Sequence, residues 1–273
     1  MGLRQLGVAL MAAGVLLGTA CTAERLAGWY VTRRIAGYLD LSSEQRQWLR
    51  QRVDGHIAAL RRDVLPKAVR LLRRTRALAA RGPTEAEVRE LQASFDALAD
   101  GAVARLAPDV AKLLAMLDDA QVARFRRKLR ENLDEAYEDL RAPPPERRTR
   151  AREKLVEGVE EWTGDLRRRQ IALLLRVTPD IARERTARYR DAVRRLRTFT
   201  AMLHRHPGAE AIERELLRLW RTRYDDTAGS LEERRRMQRR VLLALDETLT
   251  LKQRRHVIQQ IDDRIRQLKR FLD

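Results

Sequence analysis

The chain has 273 residues and a formal charge of +18, from 57 lysines and arginines against 39 aspartates and glutamates. With 5% aromatic and 35% charged residues, it is poor in strand formers and rich in helix formers, which favours an all-α protein over a sheet-containing one. A single cysteine excludes an intramolecular disulfide, so the fold must rely on helix packing.

Residues 1–20 have the layout of a secretory signal peptide. Arg4 gives a short positive segment, an apolar run follows over 6–17, and small residues precede Cys21. The run is too short and too weakly flanked for a transmembrane span.

The segment resembles the lipobox of bacterial lipoproteins, although Gly18 stands where leucine is usual. This resemblance implies that Cys21 carries lipid, palmitate included, and becomes the new N-terminus. The alternative is an ordinary cleaved signal peptide with a free thiol.

The residue after the cysteine bears on the membrane that holds the protein. Thr22 replaces the aspartate that commonly retains lipoproteins in the inner membrane. By the same resemblance, we expect an outer-membrane lipoprotein of a Gram-negative bacterium that faces the periplasm. Residues 21–40 would be its tether. Their rings and arginines either lie at the membrane interface or pack on the domain as an N-terminal helix, which we prefer.

The positive charge has three interpretations. A pI near 11 is typical of nucleic-acid binding, but the export signal and the dispersed acidic residues argue against that partner. An exported basic lipoprotein meets anionic lipid head groups, lipopolysaccharide phosphates or acidic proteins. The simplest interpretation is that exposed arginines only keep the helices soluble.

Four predicted helix starts share a leucine with a glutamine four residues later. In the first, the Ser42 hydroxyl can accept a backbone N–H while Gln45 reaches back to the N–H of the cap, which is a capping box. The third start has no capping residue after its leucine. The residues are Leu41, Ser42 and Gln45; Leu117, Asp118 and Gln121; Leu166 and Gln170; and Leu249, Thr250 and Gln253.

The spacing of these starts predicts an internal duplication. The starts and two proline turns, at Pro83 and Pro207, recur in the same order at nearly constant offsets of 124 to 132 residues. We therefore expect two tandem, related helical-hairpin halves of about four helices each, over 41–140 and 166–273. Residues 141–165 would be a linker, in which prolines 143–145 stop any helix before a short one begins near Thr149.

The leucine–glutamine starts resemble the LTXXQ motif of the Spy-type periplasmic chaperones. The match is literal from Leu249 to Gln253, whereas Ser42 and Asp118 replace the threonine in two other copies. The resemblance implies a basic, ATP-independent helical chaperone that binds clients in a cradle of antiparallel hairpins.

The chain as a whole more closely resembles a family of uncharacterised lipoproteins of Gram-negative bacteria, which implies no activity. The residues that carry this resemblance are Cys21, Trp29-Tyr30, Tyr38-Leu39-Asp40-Leu41 with Gln45, and Trp162 with Leu166 and Gln170.

No active site is recognisable, so we expect a protein that is not an enzyme and needs no cofactor or metal. His204 and His206 point to different sides of a helix and lie at its end, which does not favour a metal pair. No nucleophile elbow, phosphate loop or metal-spaced cysteine set is present.

Arginines on two predicted helices form a candidate basic surface, which either holds an acidic or unfolded client or is only solvated. Its residues are Arg183, Arg190, Arg194, Arg197, Arg235 and Arg239.

The expected function is therefore non-enzymatic. A lipid-anchored, periplasm-facing helical protein would bind unfolded or envelope proteins in the manner of the Spy-type chaperones. The alternative is a structural or adaptor lipoprotein that binds a dedicated envelope partner, anionic lipid or lipopolysaccharide. Neither function involves nucleic acid, and both leave the oligomeric state open.

Overall fold

The computed structural model describes residues 31–177, 181–223 and 231–272. The predicted signal peptide, Cys21 and the tether up to residue 30 lie outside the described residues. Within those ranges all regular structure is helical, which confirms the all-α prediction.

The described residues form eleven α-helices. They are α1 (31–39), α2 (Ser43–Ala59), α3 (Leu65–Arg81), α4 (Glu85–Ala115), α5 (Asp119–Ala136), α6 (Pro144–Thr163), α7 (Arg168–Val177), α8 (Ile181–Leu203), α9 (Ala209–Arg221), α10 (Leu231–Asp246) and α11 (Leu251–Lys269). A π-helical turn, Leu60–Val64, joins α2 to α3. Pro66 has no N–H to donate to the carbonyl of the preceding turn, which accounts for the wider turn at this point.

Local chemistry sets several helix starts. Capping boxes begin α2, α4, α5 and α11, with Ser42, Thr84, Asp118 and Thr250 as the N-caps. The proline run, in contrast, does not delay the next helix as we expected. Helix α6 begins at Pro144, because the first turn of a helix needs no N–H donor and the fixed φ of proline suits it.

The core joins helices that are distant in the chain. Helix α3 packs along α11, α5 packs along α8, and α4 packs along α9. One buried cluster unites Leu49, Val122 and Phe199, and a second unites Val69 with Ile261. The segments 41–140 and 166–273 therefore share their cores.

A buried ion pair fixes the junction between these segments. Asp139 lies in the short 3₁₀ turn after α5, and Arg185 lies on α8; each side chain is 3% exposed. The guanidinium donates to both carboxylate oxygens, over 2.9 and 2.5 Å, and Lys154 donates to one of them over 2.9 Å. Burial raises the pKa of Asp139, but the bonds from Arg185 and Lys154 outweigh it, so the pKa lies below its usual value.

Candidate functional site: paired glutamines and exposed surfaces

The glutamines of the first two helix starts face each other in the interior. Gln45 and Gln121 lie in the first turns of α2 and α5, and each residue is 7% exposed. Nε2 of Gln45 donates to Oε1 of Gln121 over 3.1 Å, and Nε2 of Gln121 donates to Oε1 of Gln45 over 2.8 Å. Each amide is thus donor and acceptor to the other.

The remaining bonds of this pair tie together the segments before the two helices. Gln45 also donates to the Met116 carbonyl over 2.6 Å, and Gln121 donates to the Asp40 carbonyl over 2.8 Å. Each Oε1 accepts the backbone N–H of its own N-cap, Ser42 or Asp118. Both amides therefore use two donors and two acceptor positions, which is their full capacity.

The third and fourth starts repeat this arrangement. Gln170 and Gln253 exchange two bonds of 3.0 Å, and both residues are buried. Gln170 donates to the Thr248 carbonyl over 3.0 Å and Gln253 to the Asp165 carbonyl over 2.8 Å. We call each pair a glutamine clasp. The structure thus joins the four predicted starts two by two, a pairing that sequence reasoning missed.

The leucines of the starts lie beside the clasps. Leu41, Leu117 and Leu166 are buried in core clusters, whereas Leu249 is half-buried. The caps Ser42 and Asp118 are exposed, because only their oxygens need to reach the helix N–H groups.

The arginines of the candidate basic surface are divided by the fold. Arg183, Arg190, Arg194 and Arg197 are exposed on one face of α8, and Arg194 is paired with Asp191 over 2.5 Å.

The other two face α4 instead. Arg235 is half-buried and paired with Asp96. Arg239 is 5% exposed and donates to Gln92 and Glu232, so its predicted surface position is wrong. It is buried because polar residues of α4 pack against α10.

Two features of the described surface are candidates for binding. Leu106 and Val110, one turn apart on α4, are 42% and 41% exposed, and Met116 follows at 41%. The second feature is an open groove of about 460 Å³ on α5, which we call the α5 groove. Its lining residues are Ala123, Arg126, Arg127, Arg130, Glu131 and His204.

The histidines show no metal-binding arrangement. His204 Nδ1 lies 2.9 Å from Asp119 Oδ1, and His206 Nε2 lies 3.4 Å from the same atom. The bond from His204 and the charge of both rings lower the pKa of Asp119. Over the ranges that the structure describes, no group of three or more His, Cys, Asp or Glu side chains is suited to a metal ion.

The described helices were also compared with the length and apolar character of a membrane span. Among the described helices, none is long and apolar enough to cross a lipid bilayer.

Comparison with known proteins shows one relationship. No curated protein and no solved structure matches the chain significantly. Residues 37–225, more than two thirds of the chain, match the model described as "Family of unknown function (DUF6279)". The match covers the first clasp and Gln170, and it agrees with the expected resemblance to an uncharacterised family. The chain therefore belongs to the DUF6279 family of unknown function.

Proposed function

We propose that the protein is a lipid-anchored, non-enzymatic envelope protein that holds unfolded or envelope proteins weakly, in the manner of the Spy-type chaperones. The observation that carries this proposal is the pair of equal glutamine clasps. The glutamine of an LTXXQ-like start joins another such start 76 residues away in one clasp and 83 residues away in the other.

Internal duplication is part of this proposal. Helix α3 of the first segment packs on α11 of the second, and α5 of the first segment packs on α8 of the second. Helices α5 and α11 have equivalent places, because each follows the second start of its segment. Each segment thus packs the helix after its second start against the other segment. A dimer that exchanges helices would have the same arrangement. This supports a comparison with the dimeric cradle of the Spy-type chaperones.

A client surface would lie on α4. Leu106, Val110 and Met116 expose apolar area, and Arg105 and Lys112 supply cations and aliphatic stems next to them. Scattered apolar area of this size favours weak and reversible contact with an unfolded chain.

Replacing Leu106 and Val110 by serine is expected to weaken client protection severalfold, because the apolar contact is lost and neither residue belongs to a buried core cluster. Light scattering of a denatured client, with the non-lipidated Cys21→Ser protein, measures this. The matched control is Leu242→Ser, a leucine 44% exposed on α10. If the parent protein gives no protection at stoichiometric amounts, the chaperone proposal is wrong.

Lipidation has its own test. We expect the mature protein to begin at Cys21, to carry added acyl mass and to fractionate with the outer membrane, and the Cys21→Ala variant to lose all three properties. Intact mass and membrane fractionation measure these. Full-length, unmodified protein in the cytoplasm would contradict the proposed compartment.

The alternative function is an adaptor that binds an anionic component of the envelope. The α5 groove favours it, because the groove is concave and rich in arginine.

A further inference from the structure

The α5 groove is built by one regular face of a helix. Ala123, Arg126, Arg127 and Arg130 follow steps of three and four residues, so their side chains share one side of α5. His204, just after the end of α8, also lines the groove. Ala123 has the smallest of these side chains.

Part of the charge in this groove is already balanced. Arg130 bonds to Asp134 over 2.9 and 3.1 Å, and Glu131 is paired with Lys128 over 2.6 Å. His204 is held by Asp119.

Two cations remain. Arg126 and Arg127 are exposed, and within the described part of the chain neither guanidinium has a carboxylate or hydrogen-bond partner. The groove therefore carries two unbalanced positive charges, on adjacent and exposed residues that line it.

The chemistry of these groups selects a phosphate. Each guanidinium presents a planar fork of donors that matches two phosphate oxygens. A phosphomonoester carries a charge of about −1.5 to −2 near neutral pH, which balances two arginines, whereas a carboxylate or a phosphodiester carries one negative charge. An open groove, moreover, suits a group presented at a surface better than a molecule that must be enclosed.

The N-terminal segment lies close to this groove. On the other side of α5, Tyr38 of α1 accepts a hydrogen bond from Asn132 over 2.6 Å and packs its ring edge-on against Phe125. The groove and α1 are thus separated by about one helix diameter, roughly 10 Å. A tether over 21–30 would reach about 35 Å when extended, so a lipid on Cys21 would keep the groove within reach of the membrane surface.

We infer that the α5 groove binds the phosphomonoester head group of an anionic lipid, with Arg126 and Arg127 as its phosphate ligands. The approach to the membrane rests on the proposed lipid anchor, but the phosphate site itself does not. The net charge of +18 adds a general attraction to any anionic surface. The site adds a preference among anions that general attraction does not give.

The test uses the full mature chain with Cys21→Ser, which removes the acyl anchor. Binding is measured to phosphatidylcholine vesicles that contain phosphatidic acid, a phosphomonoester, or phosphatidylglycerol, a phosphodiester, at matched surface charge. We expect tighter binding to phosphatidic acid, and a roughly tenfold loss of that binding in Arg126→Gln/Arg127→Gln, since charge-assisted hydrogen bonds to phosphate are removed.

The matched control is Arg168→Gln/Arg169→Gln. These arginines are also adjacent and exposed, and they lie on α7, outside the α5 groove. Their replacement removes the same amount of positive charge. We expect the control to lose binding only about twofold and equally for both lipids, through the general field. Arg126→Lys/Arg127→Lys, which keeps the charge but not the forks, should fall between the parent and the glutamine variant.

Two outcomes would overturn the inference. Equal losses in the groove variant and the control would mean that only general attraction acts. Binding of inorganic phosphate in the absence of vesicles, with the same dependence on Arg126 and Arg127 and an affinity that matches the vesicles, would assign the site to a soluble phosphate. Because these measurements need neither lipidation nor client protection, their failure is distinguishable from failure of the proposed function.

Discussion

Gln45→Glu is expected to lower the free energy of unfolding by roughly 3 kcal/mol, since the carboxylate loses both donors and faces two oxygen acceptors in the interior. Those acceptors are the Met116 carbonyl and Oε1 of Gln121, at 2.6 and 3.1 Å. The substitution keeps the size of the side chain and its bond to the Ser42 N–H. Urea denaturation at pH 7 measures the loss.

Gln51→Glu is the control for this prediction. Gln51 lies on the same helix and is exposed, so the same change of charge should alter stability by less than about 0.5 kcal/mol. A double-mutant cycle with Gln45→Ala and Gln121→Ala should show a coupling energy of about 1–2 kcal/mol. Strict additivity would mean that the two amides do not act as a clasp. The equivalent change in the second clasp, Gln170→Glu, should have a similar effect.

Arg185→Leu is expected to destabilise the protein by about 3–5 kcal/mol, because among the described residues it leaves the buried Asp139 carboxylate with Lys154 as its remaining cation. Removing the pair as a whole, in Asp139→Leu/Arg185→Leu, should be less damaging than Arg185→Leu alone. Thermal or urea unfolding measures both. The control is Arg150→Leu, which breaks an exposed pair with Glu146 and should cost less than about 0.5 kcal/mol.

The pH dependence of stability gives a second readout of the same ion pair. The pKa of Asp139 is lowered in the folded protein, so its contribution is fully present above the unfolded value, about 3.9, and is lost as pH falls through the lower folded value. Asp139→Asn should therefore remove part of the acid-induced loss of stability below about pH 4. If the slope of the free energy of unfolding against pH is unchanged in this range, Asp139 is not an ionised partner of Arg185.

Local features of the fold could be read from the sequence. Ser42 and Gln45 are three residues apart, so their capping box depends only on the first turn of one helix, and Thr84 and Thr250 begin helices for the same reason. The all-α prediction holds because apolar residues at helical spacing can bury only one face of each helix.

Features that join distant segments depended on the tertiary structure. Gln45 and Gln121 are hydrogen-bonded although they are 76 residues apart. The sequence around a glutamine that caps its own helix does not predict which distant group its amide will bind. Arg185 and Arg239 lie in the same arginine-rich helices as the exposed arginines, and the local sequence does not distinguish them. Both are buried, because Asp139 pairs with Arg185 and Gln92 accepts a hydrogen bond from Arg239.

The sequence by itself therefore determined the helices and several of their first turns, because capping and apolar periodicity act within a few residues. It also predicted four related helix starts. Only the tertiary structure decided that the starts pair as two clasps, that α3 and α5 pack on α11 and α8, and which arginines face solvent. Those results depend on contacts between segments far apart in the chain, and no local preference of a residue specifies such a contact.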